Sequence, residues 1–160
     1  MIHVPRRVVF DCNVFLQALG NAGGPSGRCV AAALQRKVLL FISGYVLEEL
    51  QDVATRPEIA VKFRIPLERV DRLILNLQKA ATPIADVLQV YVHPVDPDDS
   101  HYVNLALAAD AELIVSRDRH LLNLTNPARK ESQEFFIRFP RLRIVDPVQL
   151  LAELACDEDA

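Results

Sequence analysis

Cysteine is scarce in this chain. Its three cysteines, Cys12, Cys29 and Cys156, are odd in number and have no C-x-x-C spacing. That pattern excludes a disulfide framework and a cysteine-built zinc site, and suits reduced thiols in a cytosolic protein. Long hydrophobic runs are also missing. The longest charge-free apolar stretch, Val38 to Leu47, is about half of the ~20 residues a membrane-spanning helix needs. Met1 to Arg7 carries charge and lacks the apolar core of a signal peptide. A soluble, cytoplasmic protein without a membrane partner is therefore expected. Positive charge is not in excess: 18 Lys and Arg stand against 21 Asp and Glu, a formal net charge of −3. This argues against a basic nucleic-acid binder of the histone or zinc-finger kind. There is no internal repeat, low-complexity tract or composition shift. At 160 residues, 51% of them hydrophobic, the chain has the length and composition of one domain with its own core. That domain is expected over residues 1–155, with 156–160 as a frayed acidic tail.

The phosphate-binding glycine motifs are absent too. A Rossmann oxidoreductase carries G-x-G-x-x-G after its first strand, where this chain has Asp11-Cys12-Asn13. The glycines from Gly20 to Gly27 are not followed by the Gly-Lys-Ser/Thr of a P-loop. A haloacid-dehalogenase-like phosphatase needs a second Asp two residues after the first, and Asn13 stands there. A receiver domain needs a Lys after a late strand, and Val145-Asp146-Pro147 supplies none.

What is present alternates. Val8-Val9-Phe10, Val38 to Ile42, Leu113 to Val115 and Leu142 to Val145 are short apolar runs that read as buried strands, and Val87 to Val92 reads as a further one. Helices are expected from Ser26 to about Lys37, over Tyr45 to Thr55, between Pro57 and Pro66, and over Leu67 to Ala81, where Val70, Leu73, Ile74 and Leu77 fall on one face. Two more are expected over Asp98 to Ala109 and Pro147 to Leu154, the latter with proline in its first turn. All-apolar strands alternating with helices give an α/β protein: a three-layer α/β/α sandwich around a central, mainly parallel sheet of four to five strands.

The acids follow that pattern. Asp11 ends the first strand; Ser116 and Asp118 follow the third clear one. Glu49 lies six residues past Ser43 on the next helix, and Asp99 opens the helix at Asp98. Sites in open α/β sheets lie beyond the carboxyl ends of the strands. Singly, each acid reads as a cap or a solvated helix face. Jointly, four carboxylates on one edge repel and need neutralising charge, and an all-oxygen set suits Mg²⁺ or Mn²⁺. His93, His101 and His120 have neither H-x-x-x-H spacing nor a cysteine partner, so they do not read as zinc ligands.

Four ordered segments resemble the PIN domain family of metal-dependent ribonucleases, and within it the prokaryotic VapC-like toxins of toxin–antitoxin systems. They are Val8 to Phe15 with its Asp-x-Asn, Ser43 to Leu50 with its Glu-Leu, Asp96-Pro97-Asp98-Asp99 through Ala106, and Leu113 to Leu122 with its Ser-x-Asp. The resemblance covers roughly Arg7 to Leu122. It implies that Asp11, Glu49, Asp99 and Asp118 are the metal-binding and catalytic acids, with Glu48 the rival to Glu49. It implies that Asn13, Ser116 and Asp98 support them by hydrogen bonds or as an additional ligand. It also implies an endoribonuclease acting on single-stranded RNA with Mg²⁺ or Mn²⁺, a cognate antitoxin and a homodimer. Arg117 and Arg119 are candidates for holding the RNA backbone. The alternative is a non-catalytic module of the same fold that binds RNA or a protein. The segment from Asn123 to Arg143 departs from compact relatives with Arg129, Lys130, Arg138, Arg141 and Arg143, and reads as a solvated loop or a phosphate-contacting flap. The four assigned acids and Asp157, Glu158 and Asp159 of the tail together hide a basic balance in the remainder, which can accept a polyanion.

Overall fold

The computed structural model describes residues 3–159. Five strands, β1 (Arg7–Phe10), β2 (Leu39–Ser43), β3 (Thr82–Ile84), β4 (Leu113–Val115) and β5 (Arg143–Val145), form one sheet in the order β3-β2-β1-β4-β5. Every neighbouring pair is parallel, with Val8 opposite both Leu40 and Leu113 and Phe10 opposite Val115. Val8, Val9, Leu113, Ile114 and Val115 are wholly buried, as strands covered on both faces must be. Nine helices among the described residues connect them: α1 (Cys12–Gly20), α2 (Pro25–Leu34), α3 (Gly44–Ala54), α4 (Pro57–Phe63), α5 (Leu67–Ala80), α6 (Ser100–Ala108), α7 (Arg119–Asn123), α8 (Glu131–Arg138) and α9 (Pro147–Glu158). Helices α1 to α5 and α9 pack on one another, while α6 packs on β1, β2 and β4. Right-handed crossovers that run outward from β1 in both directions put these two groups on opposite faces. The result is the expected three-layer sandwich, with five strands and an all-parallel sheet. No helix among the described residues is long and apolar enough to cross a membrane.

The strand order reverses at β1, so the carboxyl ends of β1 and β4 flank a topological switch point, where clefts form in open sheets. Asp11 and Ser116 follow those two strands directly. The main chain binds them together there: Asp11 N–H donates to Val115 O (2.9 Å) and Ser116 N–H to Val145 O (2.9 Å).

Two sequence expectations need correction, and one helix had not been expected. The strand expected over Val87 to Val92 is irregular chain outside the sheet, with Val90 N–H turned back to Leu88 O (3.1 Å). Its backbone donors are used by a side chain: Asn104 Oδ1 accepts from Val90 N–H (3.0 Å) and Tyr91 N–H (2.8 Å), and Asn104 Nδ2 donates to Tyr91 O. Tyr91 is clamped by Phe135 and Phe139 of the α8 region, with ring centroids 5.5 and 5.9 Å away. The fifth strand is Thr82–Ile84 instead. The unexpected helix, α1, begins directly after Asp11, which caps it by accepting from Asn13 N–H. Second, the last acids do not fray at 156. Helix α9 runs to Glu158, and Asp157 is paired with Arg6 (Nε–Oδ2 2.7 Å) and held below the usual carboxylate range by that bond.

The polar stretch after Asn123 folds into α8, and most of its bases are bound within the chain. Arg129 faces Glu131, Arg143 faces Glu153 (2.8 Å), Arg141 lies 4.0 Å from Asp110, and Arg138 donates to Val90 O. This favours a self-compensated surface over a free phosphate-contacting flap.

Candidate active site

Asp11 is 4% exposed. Its Oδ2 accepts from Ser116 Oγ (2.7 Å) and its Oδ1 from Asn13 N–H (3.2 Å). Burial pushes its carboxyl above the usual range against those two bonds, and the nearby Asp118 and Glu49 carboxylates push it further. Ser116 Oγ also accepts from Asp118 N–H (2.9 Å), so one buried hydroxyl joins the acids that follow β1 and β4. The bond from residue 13 is a backbone one. It would survive any side chain but proline, and the Asn13 amide is not what holds Asp11.

Glu49 approaches from α3. Burial raises its carboxyl, but hydrogen bonds from His101 and Tyr102 outweigh that and hold it below the usual range. Tyr102 donates to Glu49 Oε1 (2.5 Å) and accepts from Cys12 N–H (3.0 Å), bridging α3 to the start of α1. His101 Nε2 lies 3.2 Å from Glu49 Oε2, and its ring packs at 4.6 Å against Tyr45, which is 60% exposed. Glu48 is exposed, so Glu49 is the one tied into the site.

The tightest group of potential ligands is Asp96, Asp99, Asp118 and His120, each offering an atom within 4.8 Å of the others. Asp99 Oδ2 is buried without a hydrogen-bond partner. Burial, followed by repulsion from Asp118, Asp96 and Asp11, pushes its carboxyl up to about 8. The expected four acids are thus divided. Asp99 and Asp118 lie in this close group, whereas Asp11 and Glu49 adjoin it through Ser116, the Cys12 backbone and Tyr102, near enough for their charges to be felt. Asp98 is exposed and outside the group. Arg117 and Arg119 are exposed, and Arg117 lines a separate cavity.

Asp96 and His120 were not among the expected site residues. Asp96 opens the Asp-Pro-Asp-Asp stretch, three residues before Asp99, and that spacing was the available signal. His120 had none in sequence, because its place depends on a buried neighbour. His93, 2% exposed, accepts at Nδ1 from the N–H groups of Val95 (3.1 Å) and Asp96 (3.0 Å), and pairs at Nε2 with His120 O (2.9 Å). It therefore pins the Asp96 loop to α7.

The donor set is suited to a hard divalent cation: carboxylate oxygens, one imidazole and an orphaned buried oxygen. Among the described residues, no Lys or Arg forms an ion pair with Asp11, Asp96, Asp99, Asp118 or Glu49. The imidazoles of His101 and His120 are the basic side chains within 4.0 Å of these carboxylates. The negative charge is left for something outside the chain to neutralise.

An all-parallel sheet with acids gathered at its switch point places the chain among α/β proteins with an acidic carboxyl-edge site. The PIN domain family model matches residues 7–120, and the chain belongs to that family. It is 27% identical over 154 residues to the uncharacterized protein MJ1680 of Methanocaldococcus jannaschii, covering 92% of this chain and 90% of that one. Its fold is similar to a chain in the crystal structure of VapBC2 from Rickettsia felis bound to a DNA fragment from their promoter. There the TM-score is 0.52 at 14% identity, over 88% of this chain and 98% of that one.

Proposed function

We propose that this PIN domain protein is a metal-dependent endoribonuclease that cleaves phosphodiester bonds of single-stranded RNA, and that it is the toxin of a type II toxin–antitoxin pair. The observation that carries the metal dependence is Asp99: a buried, unpartnered carboxylate oxygen within 4.8 Å of ligand atoms on Asp96, Asp118 and His120. Family membership and the fold shared with a VapBC2 chain support the nuclease and toxin reading.

Asp99 and Asp118, with Asp96 and His120 beside them, would hold Mg²⁺ or Mn²⁺, and Asp11 and Glu49 would complete the acidic wall. When bound, such an ion supplies activation of water and stabilisation of the charge that develops in an in-line displacement at phosphorus. In that reaction the water oxygen bonds to phosphorus as it gives up a proton to solvent, the bond from phosphorus to one ribose oxygen breaks, and that leaving oxygen takes up a proton from solvent to become the ribose hydroxyl. Ser116 holds Asp11 in place, and Tyr102 and His101 hold Glu49, so the acids need no reorganisation when the charge appears. Arg119 contributes a cation to the RNA backbone beside Asp118, and Arg117 a second from the wall of the separate cavity. An antitoxin partner, a homodimer and a cytoplasmic setting go with this reading.

The test is cleavage of a model single-stranded RNA with Mg²⁺, Mn²⁺ or chelator. Cleavage is expected with either ion, none with chelator, and none with Asp11→Asn, a near-isosteric change that keeps the acceptor for Asn13 N–H. Undiminished metal-dependent cleavage by a folded Asp11→Asn protein would refute the assignment. Titration calorimetry with Mn²⁺ on both proteins reads the metal site independently of turnover.

A further inference from the structure

Away from the acids, the C-terminal end of α1, the N-terminus of α2 and the C-terminal end of α4 border an open cavity of about 440 Å³ lined by Gln17, Ser26, Lys62, Arg64 and Arg117 among others. Its character is the reverse of the acidic cleft. Three cations and no carboxylate line it, and none of the three forms an ion pair among the described residues. This contrasts with Arg129, Arg141 and Arg143, each of which faces an acid. Uncompensated charge gathered around a concave site attracts an anion.

The main chain adds to it. Helix α2 starts at Pro25 with Gly24 as a cap that offers no side-chain acceptor. Its first intrahelical bond is Arg28 N–H to Gly24 O (2.9 Å), so the N–H groups of Ser26 and Gly27 have no acceptor within the helix, at an end that carries partial positive charge. Ser26 is 2% exposed and its hydroxyl is fixed on Gln17 Oε1 (2.8 Å). The walls are held at close range by Gly20, where a Cβ would lie 1.8 Å from Phe63 O. Arg64 sits in the left-handed region (φ 55°, ψ 48°) at the end of α4, a position that favours glycine or asparagine.

The cavity is connected to the acidic cleft by two elements. Arg117 stands between Ser116 and Asp118 on the β4 edge. Helix α1 runs from its Asp11 cap to Gln17 on the cavity wall, which at 1.5 Å per residue is about 9 Å. We propose that this cavity is a second phosphate subsite, in which Lys62, Arg64 and Arg117 hold a backbone phosphate of the same RNA strand away from the scissile bond. The inference rests on the ribonuclease reading above for the identity of the polyanion. It adds that register on the strand is set by a cavity at α1, α2 and α4 rather than by the late basic segment.

The test is fluorescence anisotropy of a fluorescein-labelled 12-mer oligoribonucleotide, in chelator so that the RNA stays intact, across a salt series. Lys62 and Arg64 are exposed, so the Lys62→Gln/Arg64→Gln protein should fold, and its circular dichroism melt checks this. It should bind at least tenfold more weakly. Its slope of log K against log salt should also be shallower by about 0.7, the value for one phosphate contact on a single strand. The control, Arg129→Gln/Arg141→Gln, should match the wild type. Wild-type affinity and slope in the Lys62→Gln/Arg64→Gln protein would overturn the subsite, as would an equal loss in the control. The subsite is also overturned if the double variant keeps RNA binding but loses binding to polyglutamate, which would assign the cavity to an acidic protein partner. The two readings fail separately: a wild type that cleaves nothing with Mn²⁺ but binds RNA through the cavity refutes only the enzyme.

Discussion

Replacing Asp99 with Asn removes one charge from the tight acidic group without changing its size. With ligand atoms within 4.8 Å, each carboxylate pair repels by about 0.9 kcal/mol at the dielectric of water and about 3.5 kcal/mol at an effective value of 20. Asp99 and Asp118 are partly exposed, so solvent screens the sum towards the lower end, and a gain of ~1–2 kcal/mol is expected for the metal-free protein at pH 8.5. For a chain of this size that raises Tm by roughly 2–8 °C. The size of the gain depends on pH. The carboxyl is pushed from its ordinary 3.8 up to about 8, so the folded state holds the proton more tightly than the unfolded chain. That stabilisation is complete below about pH 4 and is lost as pH rises to about 8. The wild type in chelator should therefore lose stability relative to Asp99→Asn across that window, and the two melts should converge at acid pH. Added Mn²⁺ should reverse the order, because binding to the folded wild type stabilises it by mass action. Differential scanning fluorimetry at several pH values, with chelator and with Mn²⁺, reads all three. A variant that melts at or below the wild type at pH 8.5 in chelator would refute the view that this carboxylate is buried and uncompensated.

Ser116→Ala leaves Asp11 Oδ2 and Asp118 N–H without their shared partner. A loss of ~1–3 kcal/mol by urea unfolding is expected, together with a fall in metal-dependent cleavage larger than the unfolded fraction accounts for. Tyr102→Phe orphans Cys12 N–H and removes the donor to Glu49. Stability should drop by ~1–3 kcal/mol, and Mn²⁺ affinity by calorimetry should change, since the Glu49 carboxyl then rises. Gly20→Ala forces a methyl into the Phe63 carbonyl at 1.8 Å. A cost of ~1–3 kcal/mol follows from overpacking, and the cavity lined by Lys62 and Arg64 should widen, seen as weaker RNA binding in chelator.

The parallel α/β sandwich was legible because its central strands are short apolar runs, which a sheet covered on both faces accommodates. Asp11 and Asp118 stood out because each follows a strand closely in sequence, whereas Glu49 and Asp99 lie beyond the strand ends and were named through the family resemblance. Residues 87–92 were misread because an apolar run does not show which group takes its backbone N–H groups. The segment exposes Leu88, Val90 and Val92, yet Asn104 and not a neighbouring strand takes its N–H groups. Asp157 was misplaced because its partner Arg6 is 151 residues away.

By itself, the sequence determined the layered α/β class through local periodicity and strand-end residues, and its four ordered motifs carried the resemblance to the family. Tertiary structure alone decided how those acids are grouped. Ser116 joins Asp11 to Asp118 across 105 positions, and the bond from His93 to the His120 carbonyl brings Asp96 and His120 beside Asp99. It also decided that Lys62, Arg64 and Arg117 share one cavity. Repulsion, burial and hydrogen bonding depend on distance in space, and distant segments acquire that distance only when the sheet closes.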